Sequence, residues 1–415
     1  MSGVRRVAML SLHTSPLEQP GAGDAGGMNV YVRSTALELA RVGIDVEIFT
    51  REVGEGRPRR EVLGDGVVVH HLDAGPRHRI PKEALPGLRN TFADAITDVA
   101  DVLADGHFDV LHSHYWVSGT VGLTLSQEMH LPLVHSMHTM AKVKNLHMKA
   151  LGSPEPGERI AGEQEIVAGA ARLIANTRTE ASELVSLYGA VADRVDVVAP
   201  GVDLSTFHPG DRAAARAALA FPPERFHVVF AGRIQKLKGP QVLVAAAAEL
   251  RHRRPDIPLD VSILGSGSGS EALALQPLID AEGLSDDIRL YPPVTAARLA
   301  QWFRSADAVV MPSFSESFGL VALEAQACGT PVVAANVGGL PQAISDGRTG
   351  LLVDGHSATG WAAALERLYD DVPLRKNLGQ AAATHALALG WQRTALLTAQ
   401  SYRTAVERFS AATAH

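Results

Sequence analysis

Cysteine is almost missing from this chain. Cys328 stands alone among 415 residues, so no disulfide can close within it, and a reducing compartment is expected. Basic charge is short as well. The formal net charge of −7 at pH 7 argues against a general nucleic-acid binder, while leaving local basic patches open. No apolar run approaches the roughly 18 residues that span a bilayer. The first residues, MSGVRRVAMLSLHTS, hold two arginines but only a short apolar stretch and no small-residue cleavage pattern. A soluble, cytoplasmic protein is the expectation. Short repeats and low-complexity tracts are missing too. What is present is a globular composition, 46% hydrophobic and 20% charged. The chain is too long for one core and about right for two domains of roughly 200 residues.

Short β-branched runs alternate with helical patterns from end to end. VRRVAMLSL, DVEIFT, VVVHHL, FDVLHSHY, LPLVHSM, ARLIANT and RVDVVAP read as strands, several of them apolar throughout. Between the first two, NVYVRSTALELARVG reads as a helix stopped by Gly43. After PGVDLSTFHPG the alternation resumes with FHVVFAG, DVSILGSG, DIRLYPP, ADAVVMPS, PVVAANV and GLLVD. Strands buried on both faces and joined by helices predict parallel sheets with crossover connections. The expected class is α/β with two doubly wound, Rossmann-like domains, residues 1–200 and 201–390. A C-terminal helix at about 391–415 is expected to pack back onto the first. Such sheets bind ligands at the carboxyl ends of their strands, and two facing domains would put the default site in the cleft between them.

The residues that follow the strands therefore matter most. After the first strand comes HTSPLEQPGAGDAGGMNVYV, with Gly21, Gly23, Gly26 and Gly27 just before a helix beginning near Asn29. Glycines admit a ligand close to the backbone, and a helix N-terminus offers unpaired N–H groups. The loop is too long for a compact G-x-G-x-x-G turn, which disfavours a nicotinamide dehydrogenase; a plain surface loop is the other reading. After the first strand of the second domain, AGRIQKLKGPQVL carries Arg233 and Lys238 five apart before a helix. Two cations there suit a diphosphate leaving group, although alone they could be solvated surface charges.

PSFSESFGLVALEAQACGTPVV places Glu316 in a loop after a strand and Glu324 about one turn into the next helix. Ser317 to Leu320 would present free N–H groups to phosphate oxygens. A partly buried carboxylate at Glu324 needs hydrogen-bond donors, and the two hydroxyls of a ribose would serve; a salt-bridged structural glutamate is the alternative. Two histidine pairs remain, His112 and His114 in HSHYW and His135 and His138 in HSMHT. They fit polar lining of a cleft or satisfied buried residues better than a metal site, because no carboxylate ligand stands near them.

In these residues the chain resembles the retaining glycosyltransferases of family 4, which have the GT-B fold. Glu316 and Glu324 match that family's E-x7-E motif, and Arg233 and Lys238 match its diphosphate-binding pair. Within the family, SLHTSPLEQPGAGDAGGMNVYV and HSHYWVSG resemble the actinobacterial branch that opens mycothiol biosynthesis. The resemblance implies transfer of N-acetylglucosamine from UDP-N-acetylglucosamine to 1D-myo-inositol 3-phosphate. It implies donor contacts from Gln19, Pro20, Gly27, Arg233, Lys238, Glu316 and Glu324, with Val294 standing where some relatives carry an arginine. It implies acceptor contacts from His13, Asp24, Ala25, Gly26, Gly27, Met28, Asn29, Lys82, Tyr115, Thr139 and Arg159. Glu316, Arg233, Lys238 and His138 would serve the chemistry. A Mg²⁺ near Phe303, Arg304, Ala306 and Thr330 is also implied, structural at most, together with a homodimer. Rival expectations are a family-4 enzyme with another acceptor, a UDP-N-acetylglucosamine 2-epimerase of the same architecture, or a nucleotide-sugar-binding regulator without turnover.

Overall fold

The computed structural model describes residues 3–21, 25–54, 56–103, 107–148, 154–267 and 273–413. The chain divides into two compact units. The first comprises Met1–Glu18, Met28–Ala199 and Trp391–His415; the second comprises Gln19–Gly27 and Pro200–Gly390. Helix Trp391–Thr413 thus belongs to the first unit. The division departs from the sequence reading at Gln19–Gly27, which groups with the second unit although it follows the first strand.

The first unit is built on an eight-stranded sheet. Its strands are β1 Arg6–Leu10, β2 Asp45–Arg51, β3 Arg60–Gly64, β4 Val67–Leu72, β5 Val110–His114, β6 Leu133–Ser136, β7 Arg172–Ala175 and β8 Val195–Val197. They are ordered β3-β4-β2-β1-β5-β6-β7-β8. Val7 and Met9 of β1 join one apolar cluster and Ala8 and Leu10 the other, so the sheet is buried on both faces. The parallel rule is broken once. β3 pairs antiparallel with β4 at the sheet edge, where its REVLG sequence stays partly exposed and carries no continuous apolar run.

The second unit carries a six-stranded parallel sheet: β9 Phe226–Ala231, β10 Leu259–Leu264, β11 Ile288–Tyr291, β12 Ala308–Met311, β13 Val332–Ala335 and β14 Gly350–Val353. Its order is β11-β10-β9-β12-β13-β14. In each sheet the winding direction reverses once, between β1 and β5 and between β9 and β12. At such a reversal the loops after the two central strands diverge and leave a crevice for a ligand. Among the described residues no helix is long and apolar enough to cross a membrane.

Candidate functional site

In the second unit the candidate donor residues gather where β9 and β12 end. Lys238 Nζ donates to Glu316 Oε2 at 2.6 Å, and Ser313 Oγ reaches the same oxygen at 3.3 Å. The two loops are joined by their backbones as well, Phe314 N–H donating to Leu237 O at 2.8 Å. Gly239, with φ +74°, makes this approach possible: a Cβ there would lie 1.9 Å from Pro312 O. Gly338 does the same beneath Glu316, since its Cβ would stand 2.1 Å from Glu316 O. Arg233 lies on the loop after β9, with its Nε 3.7 Å from where a Cβ on Gly26 would be. Gln19 Nε2 donates to Val294 O at 2.7 Å, so the residue that replaces an arginine acts here through its backbone carbonyl. Pro20 is exposed on the same segment.

Glu324 sits on helix Leu320–Ala327, and its carboxyl forms no hydrogen bond or ion pair with the described residues. Burial pushes its carboxyl up to about 8, and Asp203 nearby adds to the rise. It is a carboxyl without a donor, held beside the loop that carries Glu316.

The residues suggested for Mg²⁺ do not fit a divalent cation. Phe303 O already accepts from Thr330 Oγ1 at 2.6 Å and from Ala306 N–H at 3.1 Å, which uses both lone pairs. Arg304 turns its guanidinium to His208 O and Thr206 O, and no carboxylate joins the group. Among the described residues no cluster of three or more histidine, cysteine or carboxylate ligands exists.

In the first unit the acceptor candidates surround the ends of β1, β5 and β6. Lys82, Tyr115 and Arg159 line one recess, open to solvent, with Glu83, Trp116, Glu155, Pro156 and Glu158. His13 packs on Tyr115 at 4.4 Å between ring centroids, and the Arg159 guanidinium lies 5.1 Å from the centroid of the same tyrosine ring. Arg159 also donates from Nη2 to Thr139 Oγ1 at 2.9 Å and Thr139 O at 3.1 Å. His13, Tyr115, Thr139 and Arg159 are therefore one contiguous group, and Lys82, with its side chain 42% exposed, faces the same recess. Asn29 is buried and donates to Thr14 Oγ1 and Ser15 O, fixing the loop after β1. Ala25 is buried and Met28 half-buried, while Asp24 lies outside the described residues.

Tyr115 and His138 share a feature that the sequence does not announce. Both are non-glycine residues in the left-handed region, with φ +71° and +59°, Tyr115 directly after β5 and His138 two residues after β6. Such conformations cost of order 1 kcal/mol or more and recur where a side chain must be aimed. His138 Nε2 shares a hydrogen bond with His114 Nδ1 at 2.9 Å. Behind it, His112 bonds Tyr402 Oη at 2.7 Å and Ser136 Oγ at 3.0 Å, and His135 bonds Ser113 Oγ at 2.7 Å. Burial brings His135 and His138 down to about 3 and His112 and His114 well below the ordinary histidine range, so all four are neutral near pH 7.

Sequence reasoning missed Glu155, Glu163 and Lys144. Glu163 is fully buried, accepts from Arg159 Nε at 2.7 Å and caps helix Ala141–Met148 through Ala141 N–H at 2.9 Å. The signal was available in part: Arg159 and Glu163 stand four apart, one turn of helix Gly157–Gly169, and Glu155 lies four before Arg159, ahead of the helix.

Known proteins resemble the chain along its whole length. A family model described as "Glycosyl transferase 4-like domain" matches residues 26–201, and one described as "Glycosyl transferases group 1" matches 211–385. The D-inositol 3-phosphate glycosyltransferase of Paenarthrobacter aurescens is 61% identical over 96% of this chain and 98% of its own. That of Arthrobacter sp. is 59% identical over 99% and 97%. Among solved structures, sucrose-phosphate synthase from Thermosynechococcus elongatus matches with a TM-score of 0.89 at 30% identity, covering 98% of this chain and 100% of that one. The chain belongs to the family-4 glycosyltransferases of GT-B fold and, within them, to the D-inositol 3-phosphate glycosyltransferases.

Proposed function

We propose that the enzyme transfers N-acetylglucosamine from UDP-N-acetylglucosamine to 1D-myo-inositol 3-phosphate with retention of configuration, releasing UDP, as the first step of mycothiol biosynthesis in the cytoplasm. One observation carries the acceptor half: Lys82, Tyr115 and Arg159, far apart in sequence, line a single recess. The recess also carries Glu83, Glu155 and Glu158, and within it a phosphate monoester would draw on Lys82, Arg159 and the Tyr115 phenol. The printed names of the relatives support the same acceptor.

The donor half rests on Arg233, Lys238, Glu316 and Glu324 at the winding reversal of the second sheet. Retention by double displacement would need a free carboxylate nucleophile. Glu316 is instead held by Lys238 and Ser313, which suits a group that positions the sugar's hydroxyls. We therefore favour front-face transfer. The bond from the anomeric carbon to the UDP oxygen breaks while the acceptor hydroxyl bonds the same carbon, and its proton passes to the departing phosphate. Arg233 and Lys238 neutralise the charge that develops on UDP. His138, neutral and bonded to His114, is kept in this reading as the candidate for a hydrogen bond to the sugar or phosphate. Ribose hydroxyls would supply the donors that Glu324 lacks.

A UDP-release assay across UDP- and GDP-sugars, with and without inositol 3-phosphate, tests this reading. Release is expected from UDP-N-acetylglucosamine only when the phosphorylated acceptor is present. Release without any acceptor would point to an epimerase, and UDP binding without release to a regulator.

A further inference from the structure

Glu155 stands at the rim of the acceptor recess and bridges two cations. One carboxylate oxygen accepts from Lys144 Nζ, and the other accepts from Arg159 Nη1 at 2.8 Å. An ammonium and a guanidinium converging on two oxygens is also how a phosphate is gripped. The remaining nitrogens of Arg159 are committed elsewhere: Nε to Glu163, and Nη2 to both oxygens of Thr139. Glu163 is locked in place, because it also accepts from Tyr188 Oη and from Ala141 N–H. Glu155 is held by its two cations and, through its backbone N–H, by Asn145 Oδ1 at 2.7 Å. It lies before Pro156, the N-cap of helix Gly157–Gly169, so its side chain can turn away without disturbing that helix. Burial opposes its ionisation, yet Arg159 and Lys144 outweigh burial and bring the carboxyl down to about 2. A second anion cannot share the Nη1 edge of Arg159 with an ionised carboxylate at hydrogen-bond distance without strong repulsion.

We propose that Glu155 occupies the phosphate subsite as an internal stand-in, that the acceptor's phosphate displaces its carboxylate from Lys144 and Arg159, and that Lys144 thereby becomes a phosphate ligand. The inference rests on reading the Lys82–Arg159 recess as the acceptor site. It gives the recess a basis for selectivity. A dianion can compete with Glu155 for the two cations, whereas an uncharged polyol brings nothing with which to displace it.

Steady-state kinetics with inositol 3-phosphate, and competitive inhibition by inorganic phosphate, test the proposal on Glu155→Gln, Glu155→Asp and Lys144→Gln. Both Glu155 variants should lower the KM for inositol 3-phosphate several-fold and strengthen inhibition by phosphate. Lys144→Gln should raise that KM about tenfold or more, with the KM for the sugar donor unchanged. A rise in acceptor KM in a folded Glu155 variant would show that the carboxylate organises Arg159 instead, and would overturn the proposal. An unchanged acceptor KM in Lys144→Gln would overturn it equally. Lys82→Gln separates the two levels: if it leaves the acceptor KM unchanged, the reading of the recess itself fails. If Lys82→Gln raises the KM while Glu155→Gln and Lys144→Gln do nothing, only the present inference fails.

Discussion

Single side chains decide the chemistry, and two of them give sharp expectations. Arg233 makes no ion pair with the described residues, so its removal should leave folding intact. Its charge matters as UDP departs, and Arg233→Ala should cost about 2–4 kcal/mol in transition-state stabilisation, read from kcat/KM at an unchanged Tm. Near-normal kcat/KM would contradict that role. Glu324 should couple UDP binding to protons. Its carboxyl, at about 8, is protonated at pH 7, whereas donation from ribose hydroxyls favours the ionised form. UDP binding should then release a proton, and affinity should weaken as pH falls below about 8. Calorimetry in two buffers of different ionisation heat measures the release, and Glu324→Gln should abolish it. For stability the sign runs the other way. The folded pKa lies above the ordinary carboxyl value of 4.5, so this group's contribution is full below 4.5 and is lost as pH rises through 8. Glu316 and Glu324 were legible in the sequence because their spacing on a strand–loop–helix segment is itself a signal. The left-handed backbone at Tyr115 and His138 was not, since no residue type announces that conformation outside glycine.

At the scale of elements, the loops after β9 and β12 are held together by backbone approach. Gly239 pairs a left-handed φ of +74° with a Cβ position 1.9 Å from Pro312 O. Gly239→Ala should destabilise by about 2 kcal/mol or more, and it should also lower kcat/KM by moving Lys238 away from Glu316. Gly43, φ +86° with nothing within 4 Å of its Cβ, is the control. Alanine there should cost only about 1 kcal/mol and leave turnover alone. Equal melting losses in the two variants would show that the Pro312 contact relaxes freely. Elements buried on both faces, such as β1 and β12, could be read directly from apolar runs. β3 could not, because an exposed edge strand with the sequence REVLG lacks both an apolar run and a clean alternation.

For the molecule as a whole, the alternation of strands and helices gave away two doubly wound units, since only crossover helices can cover sheets buried on both sides. The membership of Gln19–Gly27 was hidden, because a Pro- and Gly-rich loop carries no periodicity that says which sheet it joins. Of the candidates, Gln19, Pro20, Gly27, Arg233, Lys238, Val294, Glu316 and Glu324 belong to the second unit, as do the acceptor candidates Ala25 and Gly26, while Lys82, Tyr115, Thr139, His138 and Arg159 belong to the first. The central claim is that the first unit's recess selects a phosphorylated inositol. It is tested most directly by comparing inositol 3-phosphate with inositol as acceptors for the parent enzyme and for Lys82→Ala. A charge-assisted phosphate contact is worth about 1.5–3 kcal/mol, so Lys82→Ala should raise the KM for inositol 3-phosphate roughly ten- to a hundredfold without changing that for UDP-N-acetylglucosamine. Inositol itself should be a poor acceptor for the parent. Equal use of inositol and inositol 3-phosphate by the parent enzyme would contradict the account.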